Sequence, residues 1–187
     1  MRIIAGDCKG RKLFTPDGVR IRPTSDKVKG AVFSMIGAYV DEAVVLDLFA
    51  GTGNLGLEAL SRGAKKCFFC DNSPDSIMLL RKNISVCRMA ERSEIISGSF
   101  KKAIGGLSEK LDLIFLDPPY RENLYEECFD LIIRCGLLSE DGIVVAEHDA
   151  DSPLPDDISG LTKIREKRYG STGVTLLGAT PGGDGSV

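Results

Sequence analysis

Two groups of residues in this 187-residue chain have types and spacings that could do chemistry. The first is Gly51, Gly53 and Gly56, a complete G-x-G-x-x-G at the end of the apolar run "VVLDLFA". Glycines so spaced let a backbone approach a ligand closely, and the pattern is usually read as dinucleotide binding. Asp47 lies four positions before Gly51, inside the same run. A carboxylate there repels a pyrophosphate in a partly desolvated site. It attracts a ligand that carries a sulfonium and an ammonium, as S-adenosylmethionine does. The alternative is that Asp47 caps the turn that follows it. Asp71 ends the next apolar run, twenty residues after Gly51, where an acid accepts hydrogen bonds from ribose hydroxyls. NAD and S-adenosylmethionine both fit Asp71. The charge of Asp47 favours S-adenosylmethionine.

The second group is D-P-P-Y: Asp117, Pro118, Pro119 and Tyr120. An exocyclic amine on a nucleobase is a poor nucleophile because its lone pair is delocalised into the ring. Two acceptors aimed at its two N–H groups draw the nitrogen toward tetrahedral geometry. The Asp117 carboxylate and the Pro118 carbonyl are suited to this, two prolines stiffen the loop, and Tyr120 offers a ring for the base to stack on. Positioning the amine in line with a sulfonium methyl is then the main contribution, and neither a metal nor a covalent nucleophile is needed. A Pro-Pro turn ending a strand is the plain structural alternative.

These groups must share a site, and the pattern of elements says how. From Val44 the chain repeats strand, loop and helix. "VVLDLF", "KCFFCD", "SEIISG", "LDLIFLD" and "GIVVAEH" read as strands. The helices between them are "NLGLEALSRG", "SPDSIMLLRKNISVC" (with Ser73 as N-cap and Pro74 in the first turn), "SFKKAIGGL" and "NLYEECFDLIIRCG". This alternation predicts an α/β fold with a mostly parallel sheet and helices on both faces. Ligands of such sheets bind beyond the carboxyl ends of the strands, where the loop, Asp71 and Asp117 all fall. "LTKIREKRYGSTGVTLLGA" predicts a C-terminal antiparallel hairpin, and "TPGGDGSV" a flexible tail. Residues 1–22 read as a small β-hairpin or extended arm, followed by a helix with Thr24 and Ser25 as candidate N-caps.

The net charge of −3 hides an asymmetry: residues 1–30 carry +5 and the remainder −8. A basic arm on an acidic body suits a polyanionic partner at one end, though a solvated edge is equally consistent. Six cysteines without a secretory signal predict reduced thiols. Cys67 and Cys70 in "CFFC" should point to opposite faces of a strand, unable to share a metal. No run is long enough to span a membrane, so a cytoplasmic location is expected. His148, the only histidine, lacks a catalytic partner and reads as structural. Phe14 and Phe33 read as core, "RKN" at 81–83 and "REKR" at 165–168 as solvated faces, and Arg62 as a cation suited to a helix end.

Four stretches together, "MRIIAGDCKGRKL", "IRPTSDKVKGAVFSMI", "LDLFAGTGNLGLEALSRGA" and "LDLIFLDPPY", resemble the bacterial methyltransferases that modify guanine N2 in 16S ribosomal RNA. The likeness runs from Met1 to about Leu177. It implies a class I, Rossmann-like methyltransferase fold using S-adenosylmethionine. Residues 1–40 would be a basic arm and helix, 41–179 the methyltransferase domain and 180–187 the tail. Asp47, Gly51 and Gly53 would line the methionine end of the cofactor, and Asp71 the ribose. Asp117 to Tyr120 would hold the target amine, and Arg2, Lys9, Arg11, Lys12, Arg22 and Thr24 would face RNA. The family's usual Asp after the third strand, which accepts from the adenine amine, is Ser99 here. The implied partner is 16S rRNA or a small-subunit assembly particle, met by a monomer. A DNA adenine-N6 methyltransferase uses the same D-P-P-Y chemistry, but usually with a separate recognition region. A non-catalytic RNA-binding assembly factor is the remaining alternative. A dehydrogenase would need a hydride-transfer site, for which no motif is present.

Overall fold

The computed structural model describes residues 1–16, 26–118 and 124–180. Arg22, Thr24, Pro119 and Tyr120 lie outside them, as do the candidate N-cap Ser25 and residues 181–187 of the tail. An eight-stranded sheet runs in the order β3-β2-β1-β4-β5-β8-β7-β6. The strands β1 (Val44–Asp47), β2 (Lys66–Asp71), β3 (Ser93–Ser97), β4 (Leu111–Leu116) and β5 (Leu138–Asp149) are parallel to their neighbours within this set. β7 (Leu161–Tyr169) and β8 (Thr172–Ala179) form the expected hairpin, with β8 antiparallel to β5. β5 starts four residues earlier than "GIVVAEH", and a two-residue β6 (Asp157–Ile158) extends the edge. Neither has an apolar alternation to announce it.

Strand alternation divides the core in two. Val45, Phe69, Leu113, Phe115 and Val145 face one side, with Val32 and Phe33 of α1 (Asp26–Met35), Leu57 and Leu60 of α2 (Asn54–Ser61), and Leu80 and Ile84 of α3 (Pro74–Cys87). Leu46, Ile114, Leu116, Val144 and Ala146 face the other. There they meet Ala103 and Ile104 of α4 (Phe100–Gly106) and Phe129 and Ile132 of α5 (Tyr125–Arg134). Cys67 falls in the first cluster and Cys70 in the second, so the two thiols point apart, and all six cysteines are free. Among the described residues no helix is long and apolar enough to cross a membrane. Ser73 caps α3 by accepting from the Ser76 N–H at 3.3 Å, with Pro74 in the first turn.

Residues 1–16 make a closed, hairpin-like loop rather than a loose arm. Arg2 and Lys12 form an antiparallel bridge, and Ile3 and Leu13 are buried. Polar side chains of the helices clamp this loop. The fully buried Glu58 accepts the N–H groups of Ile4 and Ala5 at 2.8 and 3.0 Å. It also pairs with Lys29 at 3.0 Å and with Arg62 at 2.8 Å. Lys29, fully buried, donates further to the Arg2 carbonyl and to Asn54 Oδ1. Ser61 Oγ accepts from the Cys8 N–H, and the Ser61 carbonyl from the Asp7 N–H. This contact is tight: a Cβ on Gly6, whose φ is +75°, would lie 1.6 Å from the Ser61 oxygen.

Three sequence expectations change here. Phe33 is core, packed on Phe115, but Phe14 is 51% exposed. Its own N–H and carbonyl are hydrogen-bonded to the Asn83 side chain, and the ring lies outside the core. Arg81 and Lys82 are solvated as expected, whereas Asn83 is fully buried by those same bonds. Arg62 does more than meet a helix dipole, since its guanidinium lies 4.6 Å from the Phe33 ring centroid while it pairs with Glu58.

Candidate active site

The sheet brings the sequence candidates to one edge. β1 is central, and its Asp47 pairs in register with Phe69 of β2 and Phe115 of β4. Backbone bonds tie the loop after β1 to both neighbours: the Leu48 N–H donates to the Phe115 carbonyl and the Ala50 N–H to the Cys70 carbonyl. Gly53 closes the turn by donating to the Ala50 carbonyl at 2.7 Å, and α2 starts at the next residue.

The three glycines have separate jobs. Gly51 has φ +53°, and a Cβ there would meet nothing within 4 Å, so it faces open space. Gly53 has φ +82°, and a Cβ would lie 2.5 Å from Leu80 Cδ1. Gly56 is helical, and a Cβ would lie 2.4 Å from the Phe69 ring. Thus Gly53 and Gly56 let α2 and α3 close on the sheet, and Gly51 is the one exposed to an approaching ligand.

Asp47 is buried, and its Oδ2 accepts the Gly56 N–H at 2.9 Å. The capping alternative is therefore realised: the carboxylate satisfies one of the orphan donors at the start of α2. Burial, aided by the nearby Asp71 charge and opposed by the Gly56 bond, pushes its carboxyl up to about 7. Asp71 is set by two backbone donors, with Oδ2 on the Gly51 N–H and Oδ1 on the Ser73 N–H, both at 2.8 Å. The Gly51 amide is thereby committed to a carboxylate, which makes it unsuited to a phosphate. Gly98 donates to the Asp71 carbonyl at 3.0 Å, bringing the start of α4 beside it. Ser99 is exposed and caps α4, its Oγ accepting from the Lys102 N–H at 3.3 Å.

Asp117 follows β4, half-buried, with Pro118 buried behind it. Burial, together with the charges of Glu147 and Asp47, raises its carboxyl well above the usual range. Glu147 is a neighbour that sequence reasoning missed. Leu116 pairs with Ala146, so the next residues, Asp117 and Glu147, lie side by side. Glu147 is buried, and its carbonyl accepts from Tyr125 Oη at 2.7 Å. Its signal was available in "GIVVAEH", where an acid ends a buried strand. His148 is buried with Nδ1 2.9 Å from the Asp149 carbonyl and Nε2 2.8 Å from Thr175 Oγ1, which suits a structural part.

Asp47, Gly51, Gly53, Asp71, Ser99, Asp117 and Pro118 are thus held around one edge of the sheet. The basic candidates lie on the N-terminal loop. Lys9, Arg11 and Lys12 are exposed, and Arg2 bridges Asp26 at 2.8 Å. Among the described residues no cluster of histidine, cysteine or acidic groups has the arrangement of a metal site.

Comparison with known proteins agrees with this architecture. A family profile described as "Conserved hypothetical protein 95" matches residues 1–178. A Bacillus subtilis protein named as a candidate rRNA methyltransferase is 40% identical over 179 residues, covering 94% of this chain and 97% of its own length. The ribosomal RNA small subunit methyltransferase D of Haemophilus influenzae is 35% identical, covering 91% and 89%. A solved Escherichia coli structure, described as a candidate methyltransferase, superposes with a TM-score of 0.85 at 31% identity, covering 96% and 97%. The chain belongs to this family, the one that holds the ribosomal RNA small subunit methyltransferase D proteins.

Proposed function

We propose that the chain is an S-adenosylmethionine-dependent methyltransferase acting on the exocyclic N2 amine of a guanine in 16S ribosomal RNA. The observation that carries this reading is the placing of Asp117 at the end of β4, one strand from Asp47 and the glycine loop, in a chain of this family. The residues fit such a cofactor. Gly51 leaves room for close approach and Asp71 is oriented for a ribose; burial holds Asp47 and Asp117 toward their neutral forms in the ligand-free protein, and a cationic sulfonium beside them would favour their ionised forms. A dinucleotide suits it less, because the acids oppose a pyrophosphate and Asp71 already takes the Gly51 amide.

When bound, the cofactor supplies an electrophilic methyl carbon on sulfur. The Asp117 carboxylate accepts one N–H of the target amine and the Pro118 carbonyl accepts the other. This localises the nitrogen lone pair toward the methyl and fixes the line of attack. As the C–N bond forms the methyl–sulfur bond would break and its electron pair would stay on sulfur as a neutral thioether; the methylated nitrogen would then be cationic, and the proton it sheds would pass to Asp117. The raised proton affinity of Asp117 makes it a competent acceptor. Pro119 and Tyr120 complete the motif in sequence, with the Tyr120 ring as a stacking surface for the base.

The test is transfer of labelled methyl from S-adenosylmethionine to unmodified small-subunit RNA, to small-subunit particles, and to DNA. Label in the RNA or particles as N2-methylguanosine is the expected result. Label in DNA as N6-methyladenine, or no cofactor binding at all, overturns the reading.

A further inference from the structure

Phe14 is one of three large apolar side chains that are more than half exposed or close to it among the described residues. A lone exposed apolar side chain is ordinary on a protein surface. What sets Phe14 apart is how it is held. Its N–H donates to Asn83 Oδ1 at 2.7 Å, and its carbonyl accepts from Asn83 Nδ2 at 3.0 Å. The same Nδ2 donates to the Thr52 carbonyl, in the glycine loop, at 2.9 Å. A fully buried amide is therefore spent on fixing the backbone of an exposed aromatic residue to the loop of the candidate active site.

The surroundings are basic. The segment before Phe14 runs along α3: Cys8 Sγ bonds to the Cys87 carbonyl, and Arg11 lies close enough to Cys87 for its charge to act there. Lys12 is exposed two residues before Phe14, and Arg81 and Lys82 are exposed just before Asn83. Exposed cations therefore stand next in sequence to both partners of this contact, on two elements of a protein whose net charge is −3. An aromatic face among Lys and Arg is the pattern that holds an unpaired nucleotide, with the base stacked and the backbone neutralised.

We propose that Phe14 is a stacking platform for an unpaired base of the substrate RNA next to the target, with Lys12 and Lys82 on the adjoining phosphates. This rests on the reading of the chain as an rRNA methyltransferase. It adds a specificity element that lies outside the amine-binding motif.

The chain contains no tryptophan, so Phe14→Trp places a single reporter at the platform. Its fluorescence is expected to be quenched by an unmodified small-subunit RNA fragment and unchanged by S-adenosylmethionine alone. Phe14→Ala should weaken binding of that fragment roughly five- to hundredfold, raising the KM for RNA while leaving kcat and cofactor affinity near wild type. It should leave the salt dependence of binding unchanged. Lys12→Ala or Lys82→Ala should each lower the slope of log affinity against log salt by about 0.7. Three results overturn the proposal: equal RNA affinity in Phe14→Ala and wild type, quenching by the cofactor alone, or Phe14→Ala lowering the salt slope as the lysine variants do. If wild type methylates RNA and Phe14→Ala does so equally well, this proposal alone falls. If wild type binds no RNA, the rRNA reading falls with it.

Discussion

Asp47 and Gly56 are joined across the glycine loop by a 2.9 Å hydrogen bond from the Gly56 N–H to the Asp47 carboxylate. The acid therefore ties the end of β1 to the first turn of α2, and it does so from a buried position. Its carboxyl is pushed up to about 7.

That shift gives a pH dependence with a definite sign. An unfolded Asp ionises near 3.9. Between about pH 4 and 7 the folded chain holds a proton on Asp47 that the unfolded chain has lost, so this group costs stability as pH rises through the window. The cost is complete near pH 7 and level above it. Asp47→Asn keeps an acceptor for Gly56 and removes the charge. Denaturant unfolding of the ligand-free protein should find the variant more stable than wild type at pH 8, by on the order of 2–4 kcal/mol, and little different at pH 4. Affinity for the cationic cofactor should change in the opposite direction, with wild type tightening from pH 6 to 8 and Asp47→Asn losing that trend.

Glu58 is fully buried with Lys29, and it holds the N-terminal loop by two backbone bonds. Glu58→Gln leaves the Lys29 cation buried without its counter-charge, at a cost of about 3–5 kcal/mol. Adding Lys29→Met should recover much of that loss in the same unfolding assay. Limited proteolysis should show residues 1–16 cut sooner in Glu58→Gln than in the double variant.

These two networks mark the limit of what the sequence reveals. The β/α alternation from Val44, the Ser73–Pro74 start of α3 and the opposed faces of Cys67 and Cys70 were legible, because they depend on local periodicity. So was the grouping of Asp47, Asp71 and Asp117, since parallel strands deliver their ends to one edge. Glu58, Lys29 and Asn83 were not. Each is a polar residue on a helix, and what buries it is the N-terminal loop, between 27 and 69 positions away. Phe14 reads as core in the sequence for the same reason: the buried side chain that holds its backbone, Asn83, lies 69 positions away. Glu147 was passed over in favour of its neighbour His148, which the structure engages on both ring nitrogens.

The glycines should separate under substitution. Gly51→Ala adds a Cβ in open space at φ +53°, costing about 1 kcal/mol of stability while obstructing the cofactor. Gly56→Ala drives a Cβ into the Phe69 ring and should cost about 1–3 kcal/mol, with cofactor affinity following the fold. Thermal unfolding beside cofactor titration distinguishes a binding defect from a packing defect.

His148→Ala removes both ring contacts from a buried site and should destabilise the chain by about 1–3 kcal/mol. Methyl transfer per folded molecule should remain near wild type at temperatures well below unfolding. A loss of kcat with unchanged stability would make His148 part of the chemistry.

In the proposed reaction Asp117 activates a guanine amine toward a bound methyl donor. The measurement that tests it most directly compares wild type with Asp117→Ala, scoring N2-methylguanosine in unmodified small-subunit RNA by mass spectrometry, alongside the cofactor Kd of each protein. Wild type should yield N2-methylguanosine, with turnover reduced about 100-fold or more in Asp117→Ala and Kd little changed. Turnover of Asp117→Ala at the wild-type rate would contradict it.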